Sequence, residues 1–310
     1  MVTIPNSPKG PTVYVVGEQP VDDAFRSLIE LGMKTLNAES CAIESLQTAP
    51  DVNPADRSSI LEFLQDEYNA RGALIAGQSP QFLDEASDAY DEIDDACLLL
   101  GEVGVIVREP GRLRAMAPRL KAAIRTVDRL LPGDTAELLI LGAGPDARAV
   151  AAAISTGACK ARPKKVTIAS TDAKGLADVR QHIESRVDKK IVLEIRHVES
   201  HMEHDRLLAL MPPRSAVINA SQTEYGNNAA VGDAALFPAQ SVVCDLLAPA
   251  GKSRILAEAV QQRSASNLTL HDGRIYTLER RFAILQTMFG ADANEAQLAA
   301  LREGVEKLDT

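Results

Sequence analysis

The stretch LLILGAGPDARAVAAAI, Leu138 to Ile154, decides how the second half of this chain is read. Four apolar residues ending at Leu141 read as a buried strand, and Gly142 permits the tight turn that follows. Gly144 lets backbone approach a ligand closely, and Ala147 supplies the small side chain needed where the next helix packs on the strand. A helix that begins at Pro145 aims its free N–H groups and its positive dipole end at the loop. Strand, glycine turn and helix start thus make a cradle for the pyrophosphate of a dinucleotide, formed by Gly142, Ala143, Gly144, Pro145, Asp146 and Ala147. Asp146 stands against this reading, because a carboxylate in the first turn either caps the helix or repels the phosphates.

The surroundings favour the cradle. From Glu137 onward short apolar runs recur at LLILG, KVTIAS, IVLEIRHV, SAVINAS, SVVCDLL and NLTLHD, each but the last followed by a helix-length segment. Six such strands imply a doubly wound parallel sheet, a Rossmann domain. The end of its second strand selects the cofactor. Ser170, Thr171 and Asp172 place a carboxylate where the ribose hydroxyls of NAD are accepted, whereas Lys174 would suit the phosphate of NADP. NAD is the preferred expectation and NADP the alternative.

The first 117 residues also alternate strand-like runs (TVYVVG, GALIAG, VGVIV) with helical ones (DDAFRSLIELGMKTL, SSILEFLQDEYNA), and after Asp272 the chain turns helical again. The expected fold is α/β with two domains: residues 1–117 plus 276–310 as an α/β substrate domain, and residues 118–275 as the Rossmann domain. LDEASDAYDEIDDAC, with seven carboxylates from Asp84 to Asp95, reads as an acidic helix with a solvated face.

A net charge of −10 repels phosphate backbones and anionic headgroups, so nucleic acid and membrane surfaces are excluded as general partners and a small-molecule ligand is expected. No run reaches the roughly 18 apolar residues of a membrane span, and the opening MVTIPNSPKG lacks a signal-peptide pattern. A cytoplasmic protein is expected. Cys41, Cys97, Cys159 and Cys244 lie far apart without a CxxC pair, as buried thiols do in a reducing compartment. Two-fold assemblies are the commonest oligomers, so a homodimer is the default expectation. His197, His201 and His204 share a helical spacing that could hold a metal, but they follow the third strand on a solvent-facing rim, so a surface histidine cluster and no metal is expected.

The order of these pieces resembles the shikimate dehydrogenase family over nearly the whole chain. The family's GAGGAAR loop looks like GAGPDAR, its INAT or INAS strand end like Ile218-Asn219-Ala220-Ser221, and its YD-then-Pro segment like Cys244-Asp245 through Pro249. Its DGxGMLxxQA stretch looks like the run from Asp272 to Tyr276, and its DELxxxAxxxGAVNTIVxxxGxL run like DEIDDACLLLGEVGVIVREPGRL, Asp91 to Leu113. The resemblance implies a substrate domain and a nicotinamide-binding domain across a cleft, with Asn219, Ala220, Ser221 and Gly273 joining the glycine loop at the cofactor. It also implies hydride transfer to NADP from a carbinol carbon, assisted by a lysine and an aspartate.

Those two residues are replaced. The VPxK lysine would fall in Ala73–Gln81, and no lysine occurs between Lys34 and Lys121; the aspartate of NTD falls at Arg119. The family's AVNT asparagine is Gly104, its serine pair is missing from GEQPVDDAF, the tyrosine after YD is Ala248, its cleft glutamine is Arg280 or Glu279, and the second glycine of DGxG is Ile275. The arginine of the family's NRT is also absent, in keeping with NAD. Arg119, Arg274 and Arg280 are implied around the cleft, where guanidinium forks recognise carboxylate or phosphate; the alternative is that they pair with the chain's own carboxylates. Tyr276, Glu279 and Asp245 are the remaining acid–base candidates. The expected function is an NAD(P)-dependent oxidoreductase acting on a small anionic hydroxy or keto compound other than shikimate. A non-catalytic ligand sensor or interaction protein on the same fold is the alternative.

Overall fold

A computed structural model describes residues 10–17, 23–36, 41–47, 54–76, 79–84, 87–221, 230–247, 253–290 and 293–308. The chain forms two compact units. One takes the chain up to Arg119 together with the chain from Arg280 on, and the other runs from Leu120 to Glu279.

The first unit is built on β1 (Thr12–Gly17), α1 (Asp23–Thr35), β2 (Ala42–Gln47), α2 (Pro54–Asp66), β3 (Ala70–Ala76), α3 (Ser79–Asp84), β4 (Glu92–Ile93), α4 (Asp95–Leu100), β5 (Val105–Glu109) and β6 (Arg112–Met116). Its sheet order is β2-β1-β3-β5-β6-β4. The first three strands are parallel, and β5 runs antiparallel to both β3 and β6. All six residues of β1 are buried, as befits a central apolar strand.

Sequence reading missed β2 and β6, for different reasons. AIESLQ is an edge strand that buries Ile43 and Leu46 and leaves polar residues between them, so its apolar signal is faint. RLRAM does alternate, burying Leu113 and Ala115, but its arginines mask the pattern.

The acidic segment is not a helix, contrary to expectation. Its carboxylates tie it to β6 and to the start of α4 instead: Asp91 accepts from Leu113 N at 2.7 Å, Glu92 pairs with Arg114, and Asp94 caps α4 by accepting from Ala96 N at 3.1 Å. Aspartates next to their own backbone favour caps and turns over helix interiors.

The second unit opens with most of α5 (Pro118–Leu130) and continues through β7 (Glu137–Leu141), α6 (Pro145–Ser155), β8 (Lys165–Ser170), α7 (Ala173–Ile183), β9 (Val192–His197), α8 (His201–Leu210), β10 (Ala216–Asn219), β11 (Val242–Asp245), α9 (Arg254–Ser266) and β12 (Thr269–His271). The order β12-β11-β10-β7-β8-β9 is parallel throughout, with β7 at the centre between β8 and β10. Two wings growing outward from the first strand make the doubly wound sheet expected from the sequence. Leu138, Leu139, Ile140 and Leu141 are all fully buried, each contributing roughly 1.5–3 kcal/mol of transfer free energy. Residues 230–241, between β10 and β11, carry no helix, although a helix-length segment was expected there.

The chain ends in α10 (Arg274–Phe289) and α11 (Glu295–Leu308). Ile284, Met288 and Phe289 of α10 pack on the first unit's core of Val13, Val15, Ile29, Met33, Ile43, Leu74 and Val105. Among the described residues no helix is long and apolar enough to cross a membrane.

Candidate functional site

The glycine loop leaves the carboxyl end of β7, the central strand. Gly142 has φ +107°, a region other residues seldom occupy. A Cβ there would stand 2.7 Å from Ser221 N and 2.9 Å from Ala220 C, so the loop and the end of β10 are pressed backbone to backbone. Gly175, in the first turn of α7, plays a matching part, since its Cβ would meet Ala143 O at 2.8 Å and Asp172 Oδ2 at 2.5 Å. Three strand ends, those of β7, β8 and β10, are thereby gathered at one edge. Gly144 is the N-cap of α6 and offers no side chain to its free amides, Pro145 opens the helix, and Ala147 is buried.

The loop's neighbours form a bonded network. Asn219 accepts from Ser221 Oγ at 2.7 Å and donates through Nδ2 to Asp245 Oδ2 at 3.0 Å. That same oxygen accepts from Ser253 Oγ at 2.7 Å, while Asp245 Oδ1 accepts from Leu247 N. Asp245 is therefore a tie between β10, β11 and the start of α9. Asp172 caps α7 by accepting from Gly175 N at 3.0 Å, and its own N–H donates to Ser170 Oγ. Thr171, Asp172 and Lys174 are exposed at this strand end.

Asp146 does not cap its helix. It is buried in the first turn of α6, and its Oδ1 accepts from the Tyr276 hydroxyl at 2.6 Å, a bond that joins α6 to α10 inside the second unit. Glu279, also on α10, has no exposed surface and pairs with Arg129 of α5 at 2.9 Å. Gly273 is buried immediately before α10. All three acid–base candidates are thus engaged with protein groups.

The arginines separate. Arg274 is 72% exposed and pairs with Asp272 two residues away. Arg119 and Arg280 share a pocket of about 60 Å³ in the first unit, lined also by Ile75, Glu102, Gly104, Pro118 and Ile284. Arg119 meets the buried Glu102 at 3.2 Å. Sequence reading passed over Glu102, whose only signal was a charge inside the otherwise apolar run LLLGEVGVIV.

The histidines are not a uniform surface cluster. His197 ends β9 and His201 opens α8, both exposed, but His204 is 7% exposed and its Nδ1 bonds Ala230 O at 2.7 Å. Burial holds the His204 pKa below its ordinary 6.5, against the opposing pull of that carbonyl and of Asp205. One face of α8 packs on the sheet, which buries the third member of the i, i+4, i+7 series. Among the described residues no group of three metal-ligating side chains is assembled. Ala248 and Pro249, residues 18–22 of GEQPVDDAF and residues 77–78 of the Ala73–Gln81 stretch lie outside the described residues.

No protein-family model matches the chain, and no curated protein does. Solved structures do. A quinate dehydrogenase from Corynebacterium glutamicum in complex with NAD is 15% identical, with a TM-score of 0.73 over 97% of this chain and 99% of that one. This chain has the shikimate dehydrogenase fold. Shikimate 5-dehydrogenase from Thermus thermophilus, in complex with NADP(H) and shikimate, is 15% identical with a TM-score of 0.63 over 96% of this chain and 99% of that one. The ligand-free 5-ketofructose reductase of a Gluconobacter strain is 17% identical with a TM-score of 0.68 over 96% of this chain and 99% of that one. One feature of the first unit brings together residues far apart in sequence, its pocket. Gly104, Arg119 and Arg280 line it together.

Proposed function

We propose that this chain is an oxidoreductase of the shikimate dehydrogenase type that uses a nicotinamide dinucleotide and acts on a small anionic hydroxy or keto compound other than shikimate. The observation that carries the reading is the glycine loop at the centre of the parallel sheet. Its Gly142 is locked against Ser221, its Ala143 against Gly175, and the helix start beyond it carries no side-chain cap. These features fit a pyrophosphate, and the one obstacle, the Asp146 carboxylate, is bonded by Tyr276.

In this reading the loop from Gly142 to Ala147 holds the phosphates. Ser170, Thr171 and Asp172 hold the adenosine ribose, which favours NAD over NADP. Asn219, Ala220, Ser221 and Gly273 border the nicotinamide half. When bound, the dinucleotide supplies or accepts the hydride. Arg119 and Arg280 orient the anionic ligand, whereas Arg274, exposed and paired with Asp272, ranks behind them.

A second reading is favoured by a specific observation: Tyr276, Glu279 and Asp245 all make internal bonds, so the acid–base step lacks a dedicated group among them. On that reading the chain senses a ligand without turning it over. Screening small hydroxy and keto acids with NAD(H) or NADP(H), followed by absorbance at 340 nm, separates the two. Absorbance change that requires substrate supports the oxidoreductase; ligand-dependent stabilisation without absorbance change supports the sensor.

A further inference from the structure

We propose that the outer edge of β9 is a dimerisation surface that takes the same edge of a second copy of this chain, in one antiparallel register centred on Ile195. The inference uses no residue of the cofactor loop and stands whether or not the oxidoreductase reading does.

β9 ends the second sheet, and among the described residues no strand pairs with its outer side. Val192 N and Val198 N donate inward, to Lys164 O and Ser170 O. Backbone direction alternates along a parallel strand, so Leu193, Ile195 and His197 turn their N–H and C=O groups outward. The corresponding edge of the first sheet is closed by a side chain: Arg26 of α1 donates through Nη1 to Ile43 O of β2 at 3.2 Å. Among the described residues no side chain does this for β9. Val192, at the start of the strand, is 63% exposed, which leaves a large apolar side chain beside an open edge.

The order of residues in β9 decides which partner fits. A two-fold axis at Ile195 sets Ile195 opposite its own copy and Leu193 opposite His197 of the second copy. Every outward group is then used, and about six main-chain hydrogen bonds form, two from each such pair. Between those pairs Glu194 falls directly opposite Arg196 of the second copy, in the close positions where side chains meet. Glu194 already accepts from Arg196 Nε of its own strand at 2.6 Å and pairs with Lys165 of β8 at 2.6 Å. Charges along and across the two strands therefore alternate in sign. A slip of two residues either way puts Glu194 against Glu194 or Arg196 against Arg196 and leaves an outward residue unpaired. A slip of one aims outward groups at inward-facing ones, which cannot bond. Charged edges usually keep strands apart, whereas this pattern rejects other registers and accepts its own copy.

The test is sedimentation equilibrium of the full-length protein over a concentration series. The wild type is expected to shift reversibly from 33.2 kDa toward twice that mass. Glu194→Arg and Arg196→Glu each set like charges opposite one another across the axis, and each alone is expected to weaken the dimer about ten-fold or more. Mixed together, the two variants restore opposite signs at both positions, so the mixture is expected to dimerise more tightly than either variant alone. Melting curves check that the variants fold. Hydrogen exchange on the wild type decides the matter without them: the amides of Leu193, Ile195 and His197 should be protected at high concentration and lose protection on dilution. A wild type that stays at 33.2 kDa up to about 0.3 mM, a dimer unmoved by either variant, or a mixture no tighter than its parts would overturn the proposal. Protection of these amides that does not depend on concentration would overturn it too, because another segment of the same chain would then close the edge.

Discussion

Replacing Tyr276 with phenylalanine deletes one hydroxyl from the interior of the second unit and leaves the ring's packing intact. That hydroxyl donates to Asp146 at 2.6 Å, and neither residue is more than 4% exposed. A hydrogen bond to a charged acceptor contributes about 1.5–3 kcal/mol. A loss of about 2 kcal/mol lowers the melting temperature by roughly 4–8 °C for a unit of this size. The loop is affected as well. Without the phenol, the Asp146 carboxylate is drawn toward the free amides of α6 and competes there with a dinucleotide's phosphates. Tyr276→Phe should therefore weaken dinucleotide binding in addition to destabilising the unit. Adding Asp146→Asn should recover binding, because the competing charge is gone. Urea unfolding and calorimetric titration of both single variants and the double variant read these effects, and the coupling between the sites follows from the cycle. A Tyr276→Phe protein within about 0.5 kcal/mol of wild type and unchanged in affinity would refute the assigned role of this bond.

Other expectations concern separate parts of the molecule. Gly142→Ala places a Cβ 2.7 Å from Ser221 N at a φ of +107°; it should cost about 2–3 kcal/mol and abolish dinucleotide binding, which melting and titration both report. Arg129→Ala removes an ion pair from the buried Glu279 carboxylate and should destabilise the second unit by about 2 kcal/mol, less than a fully buried pair would lose because Arg129 is 42% exposed. His204 has a folded pKa below 6.5, so the unfolded chain takes its proton first. Its contribution to stability is complete above about pH 6.5 and is lost as pH falls toward the folded value, with half-buried His271 acting in the same direction. An NMR titration should give His204 a midpoint below 6.5. Burial pushes the Cys159 thiol up to about 12 and raises those of Cys97 and Cys244 as well, so a thiol reagent should label Cys41 first and the other three only on unfolding.

The second unit was legible because its signals are local. A strand of Leu and Ile, a glycine that must take positive φ and a helix start lie within about ten residues, and the same alternation repeats six times. The first unit was less legible where a strand's apolar face is reduced to two residues, as in β2, or where arginines and aspartates serve the backbone rather than the solvent, as around β4 and β6. Side-chain roles were the hardest to read. Nothing near Tyr276 in sequence announces Asp146, and nothing near Arg119 announces Glu102, because each partner arrives through the fold from another element. Glu279 and Asp245 were named as titratable groups near a site, and sequence spacing could not reveal that Arg129, Asn219 and Ser253 had already taken them up.

The central claim is that the loop from Gly142 to Ala147 holds a nicotinamide dinucleotide. Calorimetric titration of the purified protein with NAD and separately with NADP, after a check for co-purified nucleotide, tests it most directly. Saturable binding, tighter for NAD and lost in Gly142→Ala, is the expected result. No binding of either, by a folded protein that carries no nucleotide from purification, would contradict the account.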